Sequence, residues 1–181
     1  MKIITSVFII YLFGFLACTS EGVNNEIASL NTHDKKEHFL LNLFKSDQSH
    51  RVTQGDTAIK YGYLSKKHIA FLKDGVKQDS INFEKAIFYS ETFNYPSCNE
   101  FSELACLSML YVVGHRGSFE DQKSVFNYFH VAYIENKIDE DKFLFLLDEM
   151  YERKYRILYD FKNKYTVKER IEILIEILEL D

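Results

Sequence analysis

Apolar residues recur at helical spacing along most of this chain. Phe39, Leu40, Leu43 and Phe44 share one face, which predicts a first helix from Asp34 to about Val52. Gln54-Gly55-Asp56 is expected to end it, and residues 57–64 read as loop or as a short helix. A second helical region follows Ser65 and carries Ile69, Phe71 and Leu72. Asp74-Gly75 predicts an interruption. Ser80 then reads as the cap of a piece with Phe83, Ile87 and Phe88. That piece stops before Tyr95-Pro96, because the residue before a proline is pushed out of the helical region.

The later starts carry clearer signals. Ser97-Cys98-Asn99-Glu100 has the form of a capping box, and an apolar run to Val113 follows it. Ser118 is expected to cap a helix through about Asn136, and Asp139 another to about Lys162. Thr166-Val167-Lys168-Glu169 is a second capping box at the head of the last segment. That segment carries two periods. Ile171, Ile173, Ile175 and Ile177 alternate as in a strand, whereas Glu172, Glu176 and Glu179 keep a helical spacing. We read it as helix.

Composition agrees with helices. Seven glycines and one proline, Pro96, are too few for the many turns of a sandwich or barrel. Sixteen Phe and twelve Tyr supply a core of useful size. The expected fold is all-α, a single domain of about five to seven helices after an N-terminal signal peptide.

The first 18 residues differ from the rest. Lys2 provides a positive start, Ile3 to Leu16 are predominantly apolar, and Ala17-Cys18 follows. Fourteen residues of helix rise about 21 Å, short of the roughly 30 Å hydrocarbon core. A cleaved signal therefore fits better than a permanent span. Phe15-Leu16-Ala17-Cys18 resembles the lipobox of bacterial lipoproteins, with a small residue before the cysteine and Phe15 in place of the usual Leu. The resemblance implies that Cys18 is acylated and becomes the mature N-terminus. It implies attachment to the membrane through Cys18 at the cell envelope, with the outer membrane preferred because Thr19, not Asp, follows the cysteine. Residues 1–17 are then the signal peptide, 18–32 a small, polar, acidic tether, and 33–181 the helical domain.

A net charge of −5 without a basic patch argues against a nucleic-acid partner. Export invites a disulfide between Cys98 and Cys106. If Ser97 caps the helix, however, the two lie about 12 Å apart along its axis, beyond bonding reach. The capping argument thus predicts free thiols, and only a loop at Cys98 reverses it. Their spacing fits no zinc signature, and no metal or cofactor is expected.

Few polar residues suggest chemistry. Asp47 and Arg51 are spaced as an i,i+4 ion pair, which is common on a helix surface. With Gln48 beside them and His115 in the Gly114–Gly117 corner, they also form a candidate site. A histidine can move protons near neutral pH, and an arginine can clamp a carboxylate or phosphate. Gln122, on the following helix, is a further binding candidate. No phosphate-binding glycine loop, His-Glu-x-x-His or Gly-x-Ser-x-Gly occurs.

Asp47-Gln48-x-x-Arg51, then Tyr95-Pro96, then an apolar helix ending in Gly114-His115, then a helix with Gln122 resembles an uncharacterised bacterial family of secreted and lipid-anchored domains. The match would span about residues 37–160. Asn94 and Gly114 replace the family's usual Gly and Gln, and a later Asp-Arg pair is represented only by Asp148-Glu149. The resemblance implies a helical fold and no particular reaction. The expected role is a non-catalytic binding module taking a protein or small anionic ligand. The alternatives are an envelope enzyme using Asp47, Arg51 and His115, or an immunity-type inhibitor of an exported toxin.

Overall fold

The computed structural model describes residues 22–160 and 165–180. These form seven helices and no strand, as the apolar periodicity predicts. They are α1 (22–28), α2 (His33–Tyr61), α3 (Lys66–Phe93), α4 (Glu103–Gly114), α5 (Phe119–Ile134), α6 (Glu140–Tyr155) and α7 (Val167–Leu178).

α4 is the central helix. Nine of its twelve residues are buried, so it is apolar on every side and needs neighbours all round. α2 and α3 pack on it from one side, α5 and α6 from the other, and α7 packs on α6. Leu40, Met109, Phe129, Phe143, Leu147 and Leu174 are fully buried where these layers meet. α2 and α4 run parallel. At one end the Ser102 hydroxyl donates to the Glu37 carboxylate and the His33 and Phe101 rings stack; at the other, His115 meets Asp47 and Arg51.

Lengths then decide the shape. α2 and α3 have 29 and 28 residues, about 42 and 40 Å, whereas α4 spans about 17 Å. Beyond Arg51, among the described residues, only α3 lies against α2. Residues 52–76 therefore form an antiparallel helical arm projecting from the body. Ala58, His68 and Gly75 are its only fully buried residues, and Thr57 bonds His68 across it.

Several expected boundaries move. Gln54-Gly55-Asp56 does not end α2, which continues to Tyr61; Gly55 is an exposed helical residue there. A lone mid-helix glycine costs only about 1 kcal/mol, and the paired α3 holds the turn. Asp74-Gly75 does not interrupt α3 either. A Cβ at Gly75 would lie 2.8 Å from the His50 ring, so this glycine is where the two helices touch. Ser80 is not a cap: it lies inside α3 and its hydroxyl donates to the Val76 carbonyl.

The Ser97 capping box is corrected too. Residues 97–101 make a turn, and the N-cap of α4 is Ser102. Cys98 is therefore outside the helix. Its Cα lies 5.1 Å from that of Cys106, and the two form a disulfide. The prediction of free thiols falls with the capping box on which it rested. By contrast, Ser118, Asp139 and Thr166 each cap their helices, Thr166 with both bonds of the box. α6 stops at Tyr155, earlier than expected, because Arg156 turns left-handed. In α7, Ile171, Leu174 and Leu178 are the buried set, which is helical spacing and not alternation.

The tether is shorter than its sequence suggests. Residues 22–28 are helical, and Val23, Ile27 and Leu30 join the core. Cys18 and the signal segment lie outside the described residues.

Candidate functional site

Three helices bring the candidate residues together at the base of the arm. Asp47, Gln48 and Arg51 come from consecutive turns of α2. His115 is the C-cap of α4, where its N–H donates to the Tyr111 carbonyl. The corner is fixed from beneath by Gln122, whose amide donates to the Val113 and Gly114 carbonyls at 3.1 Å each. These are among the carbonyls a helix end leaves without internal partners. Gln122 is thus a buried support for the His115 corner and does not face the cluster. Gly114 lies against the Phe145 ring, where a Cβ would come within 3.2 Å.

Asp47 is 1% exposed, so its charge needs close partners. It has three. Arg51 Nη2 donates to Oδ1 at 3.0 Å, while Gln48 Nε2 and His115 Nδ1 each lie 2.7 Å from Oδ2. Burial raises the Asp47 carboxyl, but the bonds and charges of His115 and Arg51 outweigh it and hold the group below its ordinary value. Arg51 also donates to Asp79 Oδ1 of α3 at 3.0 Å. There burial dominates, and the Asp79 carboxyl is pushed up despite Arg51.

His115 Nδ1 has two neighbours that demand opposite protonation. Asp47 Oδ2, at 2.7 Å, wants a donor, whereas Arg51 Nε–H, at 2.8 Å, wants an acceptor. One nitrogen satisfies only one of them. We assign the proton to Nδ1, because a bare lone pair against a buried carboxylate is the costlier clash. Arg51 is partly exposed and keeps its two Nη2 bonds in either case. Nε2 then carries the lone pair. It has no partner among the described residues and is not sealed from water.

A carboxylate-held imidazole with its outer nitrogen at the surface offers that nitrogen as a hydrogen-bond acceptor. Five concavities on the described residues have walls that contain none of Asp47, Arg51 and His115. The largest, of about 590 Å³, lies between α5 and α7 and includes His130, Tyr133 and Ile175. Among the described residues no three His, Cys, Asp or Glu side chains group to hold a metal.

No family model, curated protein or solved structure matches this chain.

Of the residues that carry the family resemblance, Asp47, Gln48, Arg51 and His115 converge. Tyr95 does not: it is buried in the core with its ring against Phe129. Two groups had escaped the sequence reading. Asp79 closes the cluster from α3. The second group is the arm's surface, where Val52, Ile59, Tyr63, Leu64 and Val76 are each at least two-thirds exposed. The signal for it was an apolar series on both sides of Gly62 with no third helix long enough to cover it.

Proposed function

We propose that this chain is a cell-envelope lipoprotein acting as a non-catalytic binding module, with the α2–α3 arm as its binding surface. The observation that carries the reading is the set of large apolar side chains on that arm. Ile59 is 83% and Leu64 91% exposed, and they stand with Tyr63, Val52 and Val76 within one projecting element. Single exposed apolar residues are ordinary, but a concentration on one element marks an interaction surface. The Asp47 cluster supports the same reading as a clasp. Its charges are spent on joining α2, α3 and the end of α4, which holds the arm's base in place. Lys2, the apolar run to Leu16 and Ala17-Cys18 support anchoring, and the resemblance to secreted and lipid-anchored domains agrees with it.

The test has two parts. Cys18→Ala is expected to move the protein out of the membrane fraction, and unchanged fractionation defeats the anchor. A photo-crosslinking residue at position 64 is expected to form adducts in intact cells, and one at position 131, on α5, far fewer. Equal yields from the two defeat the assignment of the surface.

A second reading has a specific observation behind it. His115, held by Asp47 with Nε2 at the surface, is equipped for acid–base work on a ligand that lands over the clasp. It predicts an activity that His115→Gln abolishes while the fold is retained.

A further inference from the structure

The arm differs from the rest of the molecule in charge as well as polarity. Residues 52–76 contain four lysines (Lys60, Lys66, Lys67 and Lys73) against Asp56 and Asp74, a net +2. The whole chain carries −5, which leaves −7 for everything else. The positive end is also the greasy one. At the tip, Gly62 turns the chain at φ +85°, and Tyr61, Tyr63 and Leu64 stand among Lys60, Lys66 and Lys67. The Lys60 and Lys67 ammonium groups lie 5.3 and 4.9 Å from the Tyr61 ring.

We propose that this tip inserts into the interface of an anionic lipid bilayer. Tyr61, Tyr63 and Leu64 enter the boundary between headgroups and acyl chains, and Lys60, Lys66 and Lys67 lie on the headgroup phosphates. The inference rests on the reading of the arm as the binding surface of a membrane-anchored protein. Charge complementarity chooses the occupant. A basic, aromatic tip on an acidic body is drawn to an anionic surface tip-first, while the body is held off. Tyrosine is at home at that depth because its ring is apolar and its hydroxyl polar. Lysine stems reach back past it to the phosphates. A second copy of this chain fits less well, since pairing two arms brings like charges together.

The direction of α1 agrees. Leu30 lies beside Asp34 and His38, and Glu26 beside Asn42 and Ser46, with Glu26 bonded to Lys85 at 2.8 Å. α1 therefore runs antiparallel to α2, and following the chain back from Leu30 to Gly22 leads toward the arm. Four residue steps from Gly22 to Cys18 cover at most about 14 Å. The chain thus enters the described body from the side on which the arm projects. No described helix is long and apolar enough to cross a membrane, so contact at the tip is interfacial.

The chain contains no tryptophan, so one introduced residue is a sole emitter. Leu64→Trp reports the tip and, being fully outside the core, does not disturb it; Ile134→Trp, on α5, is the reference. The acylated full chain is reconstituted in vesicles of phosphatidylglycerol and phosphatidylethanolamine. Emission from Leu64→Trp is expected to shift to the blue and to be quenched by brominated acyl chains, whereas Ile134→Trp does neither. In phosphatidylcholine vesicles the shift shrinks. Changing Lys60, Lys66 and Lys67 to Gln in the Leu64→Trp background shrinks it too, each lysine weakening tip binding about fivefold. Protein that floats with the vesicles while Leu64→Trp stays unshifted overturns the proposal and leaves the anchor standing. A shift that persists while Cys18→Ala leaves the protein in the membrane fraction defeats the anchor and leaves the tip. A blue shift in lipid-free buffer that grows with protein concentration identifies a second copy as the occupant and also overturns the proposal.

Discussion

At the residue scale, one buried carboxylate organises the base of the arm. Asp47 is held ionised by Arg51 and His115, so removing its charge leaves the Arg51 cation and the His115 N–H without their main partner. Breaking a fully buried pair costs about 3–5 kcal/mol; because Arg51 and His115 retain some water, about 2 kcal/mol is expected for Asp47→Asn. Chemical denaturation at pH 7 checks this, and an unchanged midpoint removes the clasp. The pH dependence has a definite sign. The folded-state pKa of Asp47 lies below its unfolded value, so its contribution is complete above about pH 4 and is lost as pH falls through the folded pKa. Asp79 acts oppositely, since its folded-state pKa is raised and its ionised form opposes folding at neutral pH. Asp79→Asn is therefore expected to cost clearly less than Asp47→Asn at pH 7, although both bond the same Arg51 nitrogen. Equal losses contradict the assigned charges. The sequence made part of this site legible. Asp47 and Arg51 are related by helix periodicity, and His115 by its place at a helix end. Asp79 lies 28 residues from Arg51 on a separate helix, and nothing local in one sequence marks such a partner. Gln122 was legible as a polar residue on the helix after His115, but its task, capping α4, depends on a corner seen only in three dimensions.

At the element scale, two of the arm's three glycines, Gly55 and Gly75, look alike in sequence and differ in the fold. Each sits beside an aspartate and reads as a helix breaker. Gly55 faces open space, whereas Gly75 touches His50. Gly55→Ala is expected to raise stability by about 0.5–1 kcal/mol, because alanine is the better helix former and nothing obstructs it. Gly75→Ala is expected to lower it, since the His50 ring stacks on Phe71 and has little room to move. Thermal melts that shift in the same direction for both contradict this packing. The helices themselves were legible wherever a side-chain cap precedes an apolar period, as at Ser118, Asp139 and Thr166. Ser97 misled because a capping box is a local pattern, while the disulfide that holds Cys98 outside α4 is not. That bridge closes a short loop, so reduction is expected to cost about 2.5 kcal/mol by loop-closure entropy. A midpoint unchanged by reductant rules this out.

At the scale of the whole molecule, stability is distributed unevenly, and the unevenness follows from helix lengths. α4 sits in the centre and buries nine of twelve residues, and the halves of α2 and α3 beside it share that core. Among the described residues the arm has no third layer. Over residues 52–76 its two helices bury only Ala58, His68 and Gly75, and most of their backbone bonds lie near water. Local opening costs least where little apolar surface is buried. Hydrogen exchange is therefore expected to show weak protection across 52–76 and strong protection in α4, with the transition near Arg51 on α2 and Asp79 on α3. The clasp sits at that transition because it is the last point at which α4 reaches both helices. Asp47→Asn is then expected to move the boundary into the body, lowering protection over about one or two further turns of α2, while Gly55→Ala raises protection within the arm and leaves the boundary in place. Protection that is uniform from His33 to Tyr61 would mean that something other than α3 already covers the arm in solution, and a soft arm on a hard base would no longer describe this protein.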